Sequence, residues 1–313
     1  MTSYNPICAL FKQKNYIIID GALASELQRR GCDLNDSLWS AKVLIEKPEL
    51  IYQVHYDYFK AGADCAITTS YQATPVGFEK KGITFDESIK LIKKSVELAQ
   101  QAKQQYLNET KQNKTLLIAG SVGPYGAYLA NGSEYTGDYQ LTEAEFIDFH
   151  RDRIQALIDA QVDILACETL PSFAEIKALV KLIQQFPTIN TWFSFTLKDA
   201  LHLSDGTPLL QVIDYLNNFE QIVSLGINCI ALESVTPALE VLNKLTTKPL
   251  IVYPNSGEQY DPITKQWHKN HQHDCTFKNQ LPTWTKLGAK LIGGCCQTTP
   301  NEIKEIVRLL KDY

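Results

Sequence analysis

The sequence has no surplus of positive charge and no long apolar run. Its 30 lysine and arginine residues are outnumbered by 35 aspartate and glutamate residues, which gives a net charge of −5. Nucleic-acid binding depends on a basic field, so this balance argues against a nucleic-acid partner. No apolar run approaches the length of a membrane span, and residues 1–15 lack the basic start, apolar stretch and cleavage site of a signal peptide. We therefore predict a cytoplasmic protein without a membrane partner.

A glycine-rich phosphate loop is also missing. The first predicted strand ends in Asp20-Gly21-Ala22, without the GxGxxG pattern that usually follows the first strand of an open, doubly wound sheet. That fold is the main alternative for a chain in which strands and helices alternate. The absence of the loop favours a closed barrel of parallel strands instead.

The alternation of strands and helices is regular along the chain. Short β-branched runs alternate with longer amphipathic stretches, which is typical of parallel strands joined by helical crossovers. The predicted strands are residues 16–20, 65–69, 116–120, 164–168, 191–196, 226–230, 250–253 and 289–293. The predicted helices are residues 49–61, 86–106, 143–160, 173–185, 209–225, 238–245, 281–287 and 301–310. The pattern predicts a (β/α)8 TIM barrel that forms a single domain over residues 1–313.

Polar and cysteine residues collect where the predicted strands end. The active sites of such barrels form at the carboxyl ends of the strands, which the fold brings to one mouth. The residues at these ends are Asp20, Thr69-Ser70-Tyr71, Ser121, Cys167-Glu168-Thr169, Asn228-Cys229, Asn255-Ser256 and Gly294-Cys295-Cys296. Their convergence predicts an active site at that mouth.

The segment Gly293-Gly294-Cys295-Cys296 is the most informative local motif. Two adjacent cysteines can reach one ion where the backbone turns at a strand end, and the preceding glycines permit that turn. Cys229, at another strand end, completes a set of three thiolates. Zinc prefers four tetrahedral ligands, and three protein ligands leave one position for substrate. The alternative is a group of buried apolar cysteines, but the motif and its partner favour zinc (Zn2+).

A second group of possible metal ligands consists of His268, His271, His273 and Cys275. These residue types suit zinc, but they lie in a long polar connection where no helix or hairpin is predicted to fix their spacing. We interpret the segment mainly as an exposed loop, with a second metal site as the alternative. Cys167 is expected to pack against helices, because neighbouring strand residues point to opposite faces.

Asp20 and Glu168 are carboxylates at the ends of apolar strands. Burial of a carboxylate is costly unless the group is paired. Either residue can receive the ammonium group of a substrate, and the alternative is a structural ion pair with a nearby arginine or lysine. Their position at the mouth favours the functional role.

Together these motifs resemble the homocysteine S-methyltransferase family. The similarity spans nearly the whole chain and rests on the cysteine motif, on Gly226-Ile227-Asn228-Cys229, Asp20-Gly21-Ala22, Glu168-Thr169-Leu170-Pro171, Thr69-Ser70-Tyr71-Gln72-Ala73 and Ser121-Val122-Gly123-Pro124-Tyr125-Gly126. Phe193-Ser194-Phe195-Thr196, Ser204-Asp205-Gly206-Thr207-Pro208 and residues 252–258 are similar to the branch that uses S-methylmethionine or S-adenosylmethionine.

The resemblance implies a (β/α)8 barrel with catalytic zinc on the three cysteines, homocysteine as methyl acceptor, a sulfonium methyl donor and methionine as product. It implies that Asp20 and Glu168 hold the amino-acid end of homocysteine, and that Ser70 and Tyr71 line the pocket. One departure is Gln297, where close relatives usually have arginine. This change leaves the metal ligands intact and removes a charge near the site.

The ligand set also separates the reaction classes. A metal-bound thiol is deprotonated, and a sulfonium donor needs no acid for its leaving group. A zinc hydrolase on the same barrel is the alternative, but zinc hydrolases usually have histidine and carboxylate ligands. A structural zinc site would need a fourth protein ligand. The aromatic candidates for cation–π contact with the sulfonium are Trp39, Tyr71, Tyr125 and Phe195. The sequence specifies neither the preferred donor nor the oligomeric state.

Overall fold

A computed structural model describes residues 4–261, 266–269 and 275–311. Within these ranges eight parallel strands form a barrel. The strands are β1 (Ile17–Ile18), β2 (Cys65–Ile67), β3 (Leu117–Val122), β4 (Ile164–Leu170), β5 (Thr191–Phe195), β6 (Ile222–Asn228), β7 (Leu250–Tyr253) and β8 (Ala289–Ile292). Their order around the sheet is β1-β8-β7-β6-β5-β4-β3-β2, and a parallel bridge between Ile19 and Cys65 joins β2 back to β1. The predicted (β/α)8 barrel is therefore confirmed.

One long helix follows each strand and packs outside the barrel. These helices are α1 (Pro48–Ala61), α2 (Phe85–Thr110), α3 (Glu143–Asp159), α4 (Phe173–Ile183), α5 (Leu209–Asn217), α6 (Leu232–Leu245), α7 (Phe277–Lys286) and α8 (Pro300–Leu310). Thr142 and Glu145 form a reciprocal capping box at the start of α3. No helix in the described part of the chain has both the length and the apolar content needed to cross a membrane.

Shorter elements connect the barrel units. They are the helices Pro6–Phe11, Leu23–Arg29, Val43–Glu46, Pro75–Glu79 and Tyr125–Leu129, and the 3-10 turns Trp39–Lys42 and Ser133–Tyr135. Two antiparallel hairpins also occur, Leu197–Asp199 with His202–Leu203, and Glu258–Asp261 with Gln266–Lys269.

Two apolar cores follow from the alternation of side chains along the strands. Ile17 and Ile19 belong to the core inside the barrel, whereas Ile18 between them packs in the layer under the helices. The same alternation places Cys167 in the outer layer, as predicted, and directs Glu168 to the opposite side. Ile7, on the first short helix, joins the inner core.

Three predicted helices have different boundaries in the structure. The prediction of a helix over residues 209–225 is wrong at its end, because α5 stops at Asn217 and β6 begins at Ile222. The short, mostly apolar run from Ile222 to Leu225 fits a buried strand as well as a helix. Helices α6 and α7 begin earlier than predicted. Pro237 and Pro282 lie inside them, where each removes one backbone donor without marking the start.

Candidate metal and substrate site

The three predicted cysteine ligands come together at the carboxyl end of the barrel. The Sγ atoms of Cys229, Cys295 and Cys296 all lie within 4.8 Å of one another. Cys229 follows β6 and the other two follow β8, so the chain segments are brought together by the strand between them. That strand, β7, ends at Tyr253 and is followed by Pro254. The carbonyl oxygens of these two residues accept hydrogen bonds from the backbone N–H groups of Cys229 and Cys295, at 3.2 and 2.7 Å.

The cluster suits a tetrahedral zinc ion in ligand type and nearly in spacing. Two sulfur ligands at about 2.3 Å from one zinc ion lie roughly 3.8 Å apart. The Cys229 and Cys296 Sγ atoms are 3.6 Å apart, and those of Cys229 and Cys295 are 2.7 Å apart. Binding of an ion therefore requires the second pair to separate by about 1 Å, roughly the movement that a small side-chain rotation provides.

The three thiols of the cysteine cluster differ in how readily they lose a proton. The thiols of Cys295 and Cys296 point at Cys229 and lower its pKa well below the ordinary value. The same contacts raise the pKa values of Cys295 and Cys296, since they favour the protonated forms of the two donors. Binding of a cation would favour the ionised form of all three groups and release the remaining protons.

The backbone at this site is held in an unusual conformation. Thr169 and Cys229 have φ values of 60° and 55°, in the left-handed region that residues other than glycine rarely adopt. Asn228 stabilises both turns. Its Oδ1 accepts a hydrogen bond from the Thr169 backbone N–H at 2.8 Å, and its Nδ2 donates to Thr169 Oγ1 at 2.8 Å. This paired contact fixes the end of β4 against the residue that precedes Cys229.

The two glycines before Cys295 are required by close packing. A Cβ atom on Gly293 would lie 2.7 Å from the carbonyl oxygen of Asp20, and one on Gly294 would lie 2.6 Å from Cβ of Thr298. Thr298 is buried, and its hydroxyl donates to the Cys295 carbonyl at 2.6 Å. It also accepts a hydrogen bond from Ala22 N–H at 3.1 Å. The turn that carries the cysteines is thus fastened to the segment after β1.

Asp20 and Glu168 lie buried beside this cluster, 2% and 7% exposed. Glu168 accepts hydrogen bonds from the hydroxyls of Ser121 and Tyr253, and burial raises its pKa to about 7. Burial also raises the pKa of Asp20 well above its ordinary value, and the charge of Glu168 adds to that shift. The hydrogen-bond partners of Glu168 are neutral, so the part of the chain that the structure describes does not show the structural ion pair considered from sequence.

Ser70 and Tyr71 occupy the end of β2. The hydroxyl of Ser70 donates to the Ser121 carbonyl at 2.8 Å and lies 2.7 Å from the Thr68 hydroxyl, so it joins the ends of β2 and β3. The ring of Tyr71 meets Trp39 edge to face, with centroids 6.0 Å apart. The charges of Cys229 and Glu168 both contribute to its raised pKa, after burial as the main cause. Tyr71 is therefore close to both halves of the site.

The comparisons with known proteins agree with this geometry. Residues 17–310 match the family model described as homocysteine S-methyltransferase. The chain belongs to the homocysteine S-methyltransferase family.

Individual relatives are similar over almost their whole length. The chain is 57% identical over 303 residues to the homocysteine S-methyltransferase of Escherichia coli (strain K12), covering 97% of this chain and 98% of that protein. It is 52% identical to homocysteine S-methyltransferase YbgG of Bacillus subtilis (strain 168), with 96% of each chain covered. The metallated form of the E. coli homocysteine methyltransferase MmuM superposes with a TM-score of 0.88 at 54% identity, over 96% of this chain and 99% of that one.

Membership of the homocysteine S-methyltransferase family confirms the predicted family and the predicted class of enzyme, a methyltransferase. It decides against the zinc hydrolase that the sequence left as an alternative. Within the described residues the three cysteines are also the full set of histidine, cysteine and carboxylate groups that meet at the cluster, which argues against a closed structural site.

The sequence missed two residues of the site, Glu134 and Tyr135. They lie in the turn Ser133–Tyr135, which is not at the end of a strand. The hydroxyl of Tyr135 is 3.7 Å from Cys229 Sγ, and burial raises the pKa of Glu134 to about 7. A cavity of about 360 Å³ opens beside Cys229 and is lined by Tyr135, Thr196 and the hairpin after β5. The short segment Gly132-Ser133-Glu134-Tyr135 gave no periodic signal by which sequence reasoning could find it.

Two of the aromatic candidates lie away from the cysteines. Phe195 is fully buried in the core under the helices. Tyr125 packs in an aromatic group with Tyr139, Phe146 and Phe149, at centroid distances of 5.7, 6.4 and 5.0 Å.

Gln297 and the histidine-rich segment complete the sequence predictions. Gln297 accepts hydrogen bonds from the guanidinium of Arg29 through its carbonyl and its Oε1, at 3.1 and 3.3 Å, so a positive charge still lies beside this position. The expectation that no hairpin lies in this segment is wrong, because His268 belongs to the strand Gln266–Lys269, which pairs with Glu258–Asp261. His271 and His273 lie outside the described residues. Cys275 is half-buried and lies 3.6 Å from Nε2 of Gln280. The second metal site stays a prediction.

A buried charged network supports the loops that carry Tyr71 and Gly123. Arg153 on α3 donates to the carbonyl oxygens of both residues at 2.7 Å. It also donates to Nδ1 of His150 at 2.7 Å, and His150 Nε2 lies 2.7 Å from Glu175 on α4. Burial lowers the pKa of His150, so this ring is neutral at pH 7 and its Nε2–H donates to Glu175. The network joins two helices to the loops after β2 and β3.

Replacement of Arg153 with methionine is expected to destabilise the protein by about 3–5 kcal/mol, because three buried acceptors lose their hydrogen bond, at about 1–3 kcal/mol each. The change leaves His150 Nδ1 and the carbonyls of Tyr71 and Gly123 without this donor. Urea denaturation measures the loss. Arg151→Met on the same helix is the control, because the Arg151 side chain is 42% exposed and bonds only surface groups, Gln185 at 2.9 Å and Asp148 at 4.0 Å. The control should change stability by less than about 1 kcal/mol, and equal effects of the two variants would show that the network is not stabilising.

Proposed function

We propose that this chain transfers a methyl group from a sulfonium donor, S-methylmethionine or S-adenosylmethionine, to homocysteine, and forms methionine with the help of bound zinc. The observation that carries the proposal is the meeting of three cysteine sulfurs, all within 4.8 Å, next to two buried carboxylates. A thiol and an ammonium are the two ends that such a site would recognise, and homocysteine has both.

Cys229, Cys295 and Cys296 would hold the zinc ion. A bound zinc ion with three thiolate ligands would keep the thiol of a substrate deprotonated and nucleophilic at neutral pH. The protein prepares this position through backbone hydrogen bonds to Cys229 and Cys295 and through the Thr298 hydroxyl. A metallated form of the MmuM relative is consistent with this assignment.

Asp20 and Glu168 would bind the ammonium group of homocysteine. Each carboxylate is held in place by the protein, Asp20 by the Ile67 backbone N–H at 2.9 Å and Glu168 by the hydroxyls of Ser121 and Tyr253. Burial, and to a smaller extent the charge of Glu168, raises the pKa of Asp20, which means that the pair carries less than two full charges until a cation enters. An ammonium group bound between them would balance this negative charge.

These contacts position the acceptor for in-line transfer. A ligand anchored at the carboxylates and at the cysteine cluster has its sulfur fixed relative to the barrel, which removes much of the entropic cost of the reaction. Its electron pair then attacks the methyl carbon of the sulfonium, and the bond from that carbon to the donor sulfur breaks. The donor leaves as a neutral thioether, so no protein acid is needed.

The test is a transfer assay with methyl-labelled donors. The purified protein, after measurement of its zinc content, is mixed with homocysteine and either S-methylmethionine or S-adenosylmethionine. We expect label in methionine with at least one donor, and about one zinc ion per chain, as a single open site requires. Absence of labelled methionine with both donors in a zinc-loaded preparation would refute the proposed reaction. Full activity after removal of all zinc would refute the metal requirement alone.

A further inference from the structure

Glu134 is a carboxylate that the proposed homocysteine site does not use. Its Oε2 is buried and accepts no hydrogen bond from the residues that the structure describes. The backbone around it is nonetheless fixed. Glu134 lies in the turn Ser133–Tyr135, and its carbonyl oxygen accepts a hydrogen bond from the Thr196 hydroxyl at 2.9 Å. The turn thus fixes the backbone of Glu134. Among the described residues, its carboxylate Oε2 has no hydrogen-bond partner.

The surroundings of Glu134 are aromatic and negatively charged. Tyr135, the next residue, has its hydroxyl 3.7 Å from Cys229 Sγ. Glu134 contributes to the raised pKa values of both Tyr71 and Tyr135, so its charge is close to both hydroxyls. Tyr71, Glu134 and Tyr135 therefore form one cluster on the open side of Cys229, which we term the donor cluster.

No described cation bonds the Oε2 of Glu134, although Lys198 lies in the wall of the cavity that Tyr135 lines. The charged neighbour that shifts the pKa of Glu134 is Cys229, which carries the same sign when ionised. Arg153, the nearest strongly held cation of the network, instead donates to the carbonyls of Tyr71 and Gly123. A buried carboxylate beside thiolates is costly unless a positive group comes to it. A ligand that brings a positive charge would relieve this cost.

A cavity large enough for a small ligand reaches one member of the cluster, Tyr135, beside Cys229. The cavity of about 360 Å³ beside Cys229 has Tyr135 and Thr196 in its wall. Thr196 is the residue whose hydroxyl bonds the Glu134 backbone, so the same side chain borders the cavity and supports the cluster. A ligand that enters here meets the cysteines from the side of Tyr135.

We propose that Glu134, together with the rings of Tyr71 and Tyr135, binds the sulfonium group of the methyl donor. A sulfonium has no hydrogen to donate, so it is recognised by opposite charge and by the faces of aromatic rings. The inference rests on the proposed function, because it assumes a sulfonium donor at this site. Beyond that function, Glu134 is the residue that selects the donor.

The chemistry explains why such a contact is useful. When the methyl group moves, the bond from its carbon to the donor sulfur breaks, and the electron pair stays on that sulfur. The positive charge disappears from the donor, so the attraction to Glu134 is lost in the product. Glu134 is expected to favour the charged donor over the neutral thioether, and thereby to favour product release. Because the charge is already decreasing in the transition state, Glu134 should contribute to donor binding more than to the rate of transfer.

Binding measurements on the zinc-loaded protein test the inference without turnover. Calorimetric titrations in the absence of homocysteine compare two charged probes, S-methylmethionine and S-adenosylmethionine, with their neutral counterparts, methionine and S-adenosylhomocysteine. Glu134→Gln keeps the shape and removes the charge. We expect its Kd for the sulfonium bound by the wild type to rise about tenfold or more, as loss of a contact to a charged group does. The Kd of the matching neutral compound should change less than about twofold.

Glu240→Gln is the matched control, because Glu240 is exposed on α6 and the substitution changes the net charge equally. It should leave all four Kd values unchanged, and zinc content should be equal in the three proteins. The inference is overturned if the wild type binds neither sulfonium, if Glu134→Gln binds the sulfonium as well as the wild type, or if it loses charged and neutral ligands equally. Methyl transfer is assayed separately. A wild type that binds a sulfonium through Glu134 but transfers no methyl group would therefore refute only the proposed function.

Discussion

Cys296→Ala is expected to lose bound zinc and methyl transfer together. The two remaining thiolates cannot complete an open tetrahedral site, which uses three protein ligands. Activity should fall by more than the roughly 10–100-fold that loss of an outer-shell partner of a metal site costs. Zinc content by elemental analysis and the transfer assay, applied to the same preparation, provide the measurement.

The control for this substitution is Cys167→Ala. Cys167 is also fully buried at the carboxyl end of a strand, but it lies in the outer core. Its replacement should cost about 1 kcal/mol of stability, typical of a single core substitution, and should leave the zinc content unchanged. A zinc-free Cys296→Ala protein with wild-type activity would contradict the assignment of the ligands.

Glu168→Gln is expected to weaken homocysteine binding by about 10–150-fold, because a contact between charged groups contributes roughly 1.5–3 kcal/mol. The amide keeps the hydrogen-bonding shape at Ser121 and Tyr253 but carries no charge for the ammonium. Zinc content should be unchanged. Calorimetric titration of homocysteine into the zinc-loaded protein gives the Kd directly, and the exposed Glu240→Gln on α6 is the control for a change in net charge.

The pH dependence of this binding has a definite sign. Burial raises the pKa of Glu168 to about 7, so the carboxyl is mostly protonated below pH 7 and cannot pair with an ammonium. Wild-type affinity for homocysteine should therefore increase as pH rises through about 7. Ionisation of the homocysteine thiol should also increase the affinity with pH, in both the wild type and Glu168→Gln. The difference between the two pH profiles therefore isolates the contribution of the Glu168 carboxylate. Parallel pH profiles would indicate that Glu168 does not bind the ammonium.

Most of the barrel was readable from the sequence because its signals are local. Strand β7 was predicted with the bounds Leu250–Tyr253 that the structure shows, and the ends of α1 and α8, at Ala61 and Leu310, also agree. The boundary between α5 and β6 was not readable. Ile222, Val223 and Leu225 are apolar residues that suit either conformation, and the choice depends on pairing with β5 and β7.

The residues of the site also divide into those that the sequence predicts and those that only the structure reveals. The Gly293-Gly294-Cys295-Cys296 motif, Cys229, Asp20 and Glu168 were found because they stand at strand ends, and a parallel barrel brings all strand ends to one mouth. The cytoplasmic location, the single domain and the substrate roles stay predictions of the sequence. Tertiary structure placed Tyr135 at 3.7 Å from a cysteine that lies 94 residues away. Among the residues that the structure describes, it also left Glu134 Oε2 buried without a hydrogen-bond partner.

Arg153 is a residue whose position and contacts could not be predicted from the sequence. On α3 it reads as one charged residue among several on a polar helix, yet it is fully buried and bonds two loop carbonyls that precede it by 82 and 30 residues. By itself, the sequence determined the periodic elements and the residues at their ends, since backbone preference and side-chain alternation act over a few neighbours. Only the tertiary structure decided which turn, hydroxyl or guanidinium meets those ends, because that depends on closure of the barrel between residues distant in the chain.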